Sequence, residues 1–340
     1  MKRLFLYMAA AISAMTACSK EQSACGELSS SDNPSITVSI EGSADTRATG
    51  IKGDDSDEEK IRSLQVFVFN GEIIDGYGHI ENSKTLTLGC TAGVRDIYAI
   101  ANAPDLKDVK SRSELLGKVS ALKPEVDGFE MFGLTKDKEI KSDTKDALVH
   151  VDRFAARIKV KKITNALSSP ALQNQNFIIE SMNISNVAAD VDYGISSGYQ
   201  ISKWYNQMGF EEDNNCGNVT SDTVGEPLAS GSSYTVQHCF YAYPNSNAFS
   251  SDLTWSPRAT MLVLKIRIGT ALYNYPIKLP ALERNRSYEI DEIKITRPGN
   301  LDNGEEGGPD EMEPVQGADC IFEIKVNPWT VVTVTEGVVI

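Results

Sequence analysis

The chain has 340 residues and a formal net charge of −14, with 33 Lys and Arg against 47 Asp and Glu. That balance argues against nucleic acid and anionic membrane surfaces as partners, and the length leaves room for two domains. Six cysteines (Cys18, Cys25, Cys90, Cys216, Cys239 and Cys320) show no CxxC spacing, which excludes the common zinc and redox motifs; Cys216 and Cys239 are the pair that could bridge in an oxidising compartment.

Residues 1–17 read as a secretory signal. Met1-Lys2-Arg3 is basic, Leu4 to Ala14 is apolar, and small residues lead up to Cys18. The apolar run is too short to cross a bilayer, and no later run is long enough. Ala14-Met15-Thr16-Ala17-Cys18 resembles a bacterial lipoprotein box, so Cys18 is the expected acylated residue and an outer-membrane lipid anchor the expected attachment. Residues 19–33 are rich in Ser, Glu, Gly and Asn and read as a tether. Then Ile36, Val38 and Ile40 alternate with Thr37 and Ser39, which predicts a strand with one apolar face over 34–43. Ser43 to Gly50 is small and polar around a single Arg47, the composition of an exposed, cleavable segment. The acidic cluster Asp54 to Glu59 reads as solvated charge.

From Ile61 onward the pattern is of successive short strands. Leu64 to Phe69 is apolar on both faces, which suits a central strand, and Asn70-Gly71 is a turn signal. Thr85–Leu88, Val94–Pro104, Phe129–Gly133, Ala147–Val151 and Ala155–Ile163 follow as strands. Ser113 to Leu122 is the predicted helix, capped by Ser113. A second series runs through Phe177–Ile184, Cys239–Asn245, Ala259–Ile268, Ala271–Ile277 and Ser287–Ile295, with a loop-rich region at 190–235. Pro298 to Gly317 is an acidic, Gly/Pro-rich linker. This pattern predicts two β-sandwiches.

Catalytic and metal chemistry finds little support. His79, His150 and His238 are far apart and lack i, i+4 or Cys partners. Gly194-Ile195-Ser196-Ser197-Gly198 spells GxSxG, but the helix that a nucleophile elbow needs does not follow. No phosphate-cradling glycine loop or calcium-loop spacing occurs. The chain reads as a non-enzyme with no cofactor. Trp204, Tyr205 and Trp255 are the aromatics that could form a glycan-stacking platform.

The last twenty residues, Ile321 to Ile340, are strand-forming almost throughout and uncharged from Val326 to Thr335. An apolar strand at a chain end is a template for pairing, so it is either a last core strand or a segment used by another chain. Phe322, Ile324 and Val326 alternate with polar residues up to Pro328. Beyond it, Trp329, Val332, Val334, Val338 and Ile340 supply the apolar positions.

Several strings, in this order, resemble the Bacteroidales fimbrillin family, the FimA-like structural subunits of type V pili. They are the lipoprotein box at Cys18, Asp45-Thr46-Arg47-Ala48, Ile97 to Pro104, Val151 to Ile158, Phe240 to Asn245, Arg284 to Ile290 and Asn327-Pro328-Trp329. The resemblance implies an all-β chain of two transthyretin-like β-sandwich domains in tandem, behind a lipoprotein signal and a propeptide. The corresponding ranges are a signal at 1–17, a propeptide at 18–47 carrying a removable strand at 34–43, an N-terminal sandwich at 48–164 and a C-terminal sandwich at 165–340. It further implies cleavage after Arg47 by a trypsin-like surface protease, leaving Ala48 as the mature N-terminus. Loss of Ile36, Val38 and Ile40 would then open a groove for a donor strand, residues 329–340, of another copy or a related pilin. The expected role is a stalk subunit of an adhesive surface fimbria. The alternatives are an anchor or tip subunit of the same pilus, or a glycan-binding surface lipoprotein.

Overall fold

The computed structural model of the chain describes residues 35–42, 58, 60–124, 128–144, 146–195, 198–206, 219–247, 259–304, 313, 315 and 319–329. Its first strands are β1 (Ser35–Gly42), β2 (Ser63–Asn70), β3 (Ile73–Glu81), β4 (Thr85–Gly89) and β5 (Gly93–Ala101). Helix α1 (Arg112–Leu116), β6 (Val119–Ala121), β7 (Met131–Ile140) and β8 (Asp146–Arg153) follow. All of these strands except β6 join one seven-stranded sheet in the order β3-β2-β5-β7-β8-β1-β4.

The double-sided apolar pattern of β2 has a direct structural counterpart. Leu64, Val66 and Val68 enter one core with Ile97, Ala99 and Ala101 of β5. Phe67 and Phe69 point the other way, into a second core with Tyr98, Phe132 and Phe154. Gly71, at φ +63°, makes the turn into β3, a conformation that costs glycine little. The two ends of the sheet order also approach each other. A Cβ at Gly76 of β3 would sit 2.6 Å from the Gly89 carbonyl oxygen of β4, so only glycine permits this contact. The sheet therefore rolls around its first core.

The chain continues through β9 (Ala156–Val160), β10 (Ile163–Asn165), helix α2 (Pro170–Gln173), β11 (Phe177–Ser185), β12 (Val187–Ala188), β13 (Asp190–Asp192) and β14 (Trp204–Tyr205). Next come β15 (Ser221–Pro227), β16 (Ser233–Tyr234), β17 (His238–Ala242), β18 (Met261–Ile268) and β19 (Ala271–Lys278). The last strands are β20 (Arg286–Ile290), β21 (Ile293–Ile295), β22 (Asn300–Leu301), β23 (Cys320–Ile321) and β24 (Ile324–Pro328). A five-stranded sheet, β15-β11-β18-β19-β22, shares the second core with two four-stranded sheets, β17-β9-β20-β24 and β16-β10-β21-β23.

Two local expectations are corrected. The helix is Arg112–Leu116 rather than Ser113 to Leu122, and its cap is Ser111, whose side chain accepts from the Glu114 N–H at 3.1 Å. Residues 119–121 are strand because β13 claims their backbone: Ala121 pairs with Asp190, and the Leu122 N–H donates to the Ala189 carbonyl at 2.8 Å. Tertiary pairing overrides the helical spacing of the leucines. The acidic cluster is not all solvated either, since Glu58 is buried at 2% exposure.

Candidate assembly interface

Strand β1 is an inner strand, paired on both sides. It runs antiparallel to β4, from Ser35 opposite Gly89 to Ser39 opposite Thr85, and parallel to β8, from Thr37 opposite Asp146 to Gly42 opposite Val151. The period-2 alternation sends Ile36 and Val38 fully inward and leaves Ile40 6% exposed. They pack among Leu86 and Leu88 of β4, Ala147, Val149 and Val151 of β8, and Leu64 and Val66 of β2. On the outer face the Thr37 and Thr87 hydroxyls meet at 2.9 Å, and Ser39 and Thr85 at 3.3 Å. Strand β8 depends on this neighbour. Its ladder with β7 covers only Val151, Asp152 and Arg153, whereas residues 146–150 pair with β1.

Trp329, the first residue of the expected donor segment, packs inside the chain's own fold. It is 2% exposed and closes the second core. Its indole stacks on Tyr241 at 5.8 Å and meets Phe129 edge-on at 5.4 Å. The guanidinium groups of Arg153 and Arg157 lie 4.8 Å and 5.0 Å from the ring centroid, within cation–π range. The backbone N–H of Trp329 donates to the Asn285 carbonyl at 2.9 Å, and its carbonyl accepts from Arg153 Nη1 at 3.4 Å. Trp329 is thus held by the chain's own fold, and residues 330–340 lie outside the described residues.

Glu58 is the hub of that packing. Its Oε2 accepts from Arg157 Nη1 at 2.9 Å and from Trp329 Nε1 at 3.2 Å, and its Oε1 accepts from the Tyr241 hydroxyl. Arg157 reaches Ser287 Oγ at 3.1 Å, and Arg153 Nε reaches the Glu58 carbonyl at 3.4 Å. Burial and the adjacent Glu58 charge push the Tyr241 hydroxyl well above its ordinary range, so it remains a proton donor. Sequence reasoning missed Glu58 because a run of acids usually faces water. The available signal was Arg157, a cation inside the wholly buried strand β9, which requires a buried partner.

Other predicted positions resolve simply. Cys18, Arg47, Ala48, Val332, Val334, Val338 and Ile340 lie outside the described residues, as do Cys216, Ser196 and Trp255. Trp204 and Tyr205 are core residues on β14, paired with β12, and do not present a stacking platform. His238 is buried between Asp222, 2.6 Å from its Nδ1, and the Tyr234 hydroxyl, 2.9 Å from its Nε2. Among the described residues no group of His, Cys, Asp and Glu could hold a metal ion, and no helix is long and apolar enough to cross a membrane.

A family model described as major fimbrial subunit protein (FimA) matches residues 34–220, more than half of the chain. Major fimbrium subunit FimA type-2 of Porphyromonas gingivalis is 27% identical over 201 residues, covering 53% of this chain and 50% of that protein. The chain thus spans about half the length of the curated relatives it matches. Among solved structures, a candidate cell adhesion protein from Bacteroides eggerthii superposes with a TM-score of 0.65 at 18% identity, covering 88% of this chain and 98% of that one. A fimbrilin (FimA) from Porphyromonas gingivalis gives 0.61 at 19% identity, over 88% of this chain and 99% of that one. At these identities the structural likeness speaks for the fold.

Proposed function

The chain belongs to the FimA family of major fimbrial subunit proteins, and on that premise we propose that it is a stalk subunit of a surface fimbria, exported as a lipid-anchored precursor and polymerised by strand exchange. The family is one of structural subunits rather than enzymes. Acylated Cys18 holds the precursor at the outer membrane. A trypsin-like surface protease cuts after Arg47, freeing the segment that carries β1 together with the lipid. Residues 330–340 of another copy, or of a related pilin, then fill the vacated slot.

The observation that carries this reading is β1 itself, a short inner strand with three buried side chains and two full ladders, lying just ahead of Arg47 in the sequence. Burying three such side chains is worth roughly 5–9 kcal/mol, comparable with the ~5–15 kcal/mol stability of a whole domain. A subunit that loses β1 is left with an open apolar slot between β4 and β8 and two unpaired strand edges, which an incoming strand relieves by β-augmentation. The terminal sequence has matching chemistry. Val332 and Val334 alternate with Thr333 and Thr335, as Ile36 and Val38 alternate with Thr37 and Ser39.

N-terminal sequencing of surface-sheared protein tests the proposal. Polymer beginning at Ala48 is the expected result. Polymer whose subunits retain a blocked, acylated Cys18 would overturn the stalk assignment in favour of an anchor.

A further inference from the structure

We infer that β8, together with the Glu58, Arg153 and Trp329 cluster, is the tension path of the assembled filament. The inference rests on the proposed strand exchange, because it asks how a pull on residues 330–340 crosses one subunit.

In a head-to-tail filament each subunit is pulled at two places. One is the slot vacated by β1, where the neighbour's strand sits. The other is the root of its own terminal segment. Strand β8 touches both. Residues 146–151 form the parallel wall of the slot. At its far end Arg153 bonds the carbonyls of Trp329 and Glu58, and its guanidinium covers the Trp329 ring. Both contacts therefore lie on one eight-residue strand, on the order of 25 Å long.

Without this cluster the pull would fall on β24. That strand lies at the edge of its sheet and pairs with β20 alone, antiparallel, with Pro328 opposite Arg286. A force applied at its C-terminal end would be resisted there by that single ladder. Trp329 stands between the pull and the ladder. To withdraw it, the indole must leave Tyr241 and Phe129, and the Glu58 carboxylate must lose one of its three donors inside a core. Arg157, its ion-pair partner, lies on β9, an inner strand flanked by β17 and β20. Load entering at Trp329 is therefore shared by β8, β9 and β17 instead of by one edge.

The carboxylate also explains why an ionic group occupies a site that an apolar side chain could fill. Donors from β9, β17 and the residue after β24 converge on two oxygens, and only one register of Trp329 satisfies all of them. A buried charge used in this way fixes position more than it adds stability.

The test uses the cleaved full-length subunit with Glu58→Gln, which keeps size and loses charge, and Trp329→Phe, which keeps a ring and loses the N–H. Hydrogen exchange should rise about tenfold or more at residues 324–327 and 152–153 in Glu58→Gln, less in Trp329→Phe, and remain unchanged in β11 and β18. Filaments of Glu58→Gln should break to shorter lengths than wild-type filaments under calibrated shear. Unchanged exchange at 324–327 in both variants would overturn the inference, as would an equal rise in β11 and β18, or wild-type filament length under shear. Filaments that form without residues 330–340 would instead sink the strand-exchange reading, and the exchange measurement on monomers would still decide whether the cluster holds the root of the segment.

Discussion

Asp291 bonds Lys161 at 2.8 Å and also Lys325, tying the ends of β9, β20 and β24 together on the surface. The hydrogen bonds from Lys161 and then Lys325 are the main cause that pulls its carboxyl down to about 2. A depressed acid contributes stability that is complete above its unfolded value near 3.9 and is lost as the pH falls through the folded value. With the intrinsic pH dependence of exchange divided out, the protection of the amides of residues 324–327 should therefore fall between about pH 4 and pH 2, and Asp291→Asn should abolish that fall. Glu130 has the opposite sign. It is 6% exposed and accepts from the Tyr193 hydroxyl at 3.1 Å, and burial raises its carboxyl above the ordinary range. Its stability contribution is complete at low pH and declines as the pH rises through the folded value. Glu130→Gln should therefore raise the melting temperature at pH 8, with the gain shrinking toward pH 4. At this scale the alternating residues Ile36, Val38 and Ile40 were legible, because period 2 predicts a buried face directly. Glu58 was not, because the reason for its burial sits on three distant elements.

Strand β1 is the element on which the proposed cleavage can be tested directly. In the precursor Ile36 fills the first core at 0% exposure, so Ile36→Ala should destabilise the uncleaved protein by about 2–5 kcal/mol. In the cleaved subunit the same substitution should have no effect, because the strand that carries it has left. Urea unfolding of both forms measures this, and equal losses would mean that β1 stays in place. The dependence of β8 on β1 adds a second expectation: amides of residues 146–150 should exchange quickly after cleavage and regain protection when a donor strand binds. Most strands were legible from alternation and turn residues, as with Leu64 to Phe69 and Asn70-Gly71. The error at 117–122 arose because leucines at helical spacing carry no information about a strand, β13, some seventy residues away that pairs with this segment.

For the whole molecule the proposed exchange joins two different parts of one chain, the slot and the terminal segment. A contact between unlike surfaces is heterologous, and unless its rotation closes a ring it propagates into a filament. Arg47→Ala should therefore yield a lipid-anchored precursor that never polymerises, since its own β1 occupies the slot, and normal fibres from that variant would remove cleavage from the scheme. Two truncations then separate the roles at the other end. Ending the chain at Trp329 should give a stable, cleaved subunit whose slot accepts a neighbour but which offers nothing in return, so it caps growing chains and shortens them in proportion to its dose. Ending the chain at Pro328 removes the indole from between Tyr241 and Phe129 as well. That should cost about 3–5 kcal/mol of stability and leave the buried pair of Glu58 and Arg157 open to water, so thermal unfolding should fall for this truncation and not for the longer one. Equal melting of the two would mean that Trp329 belongs to the exchanged segment after all, and the boundary between what the subunit keeps and what it gives away would move back to Pro328.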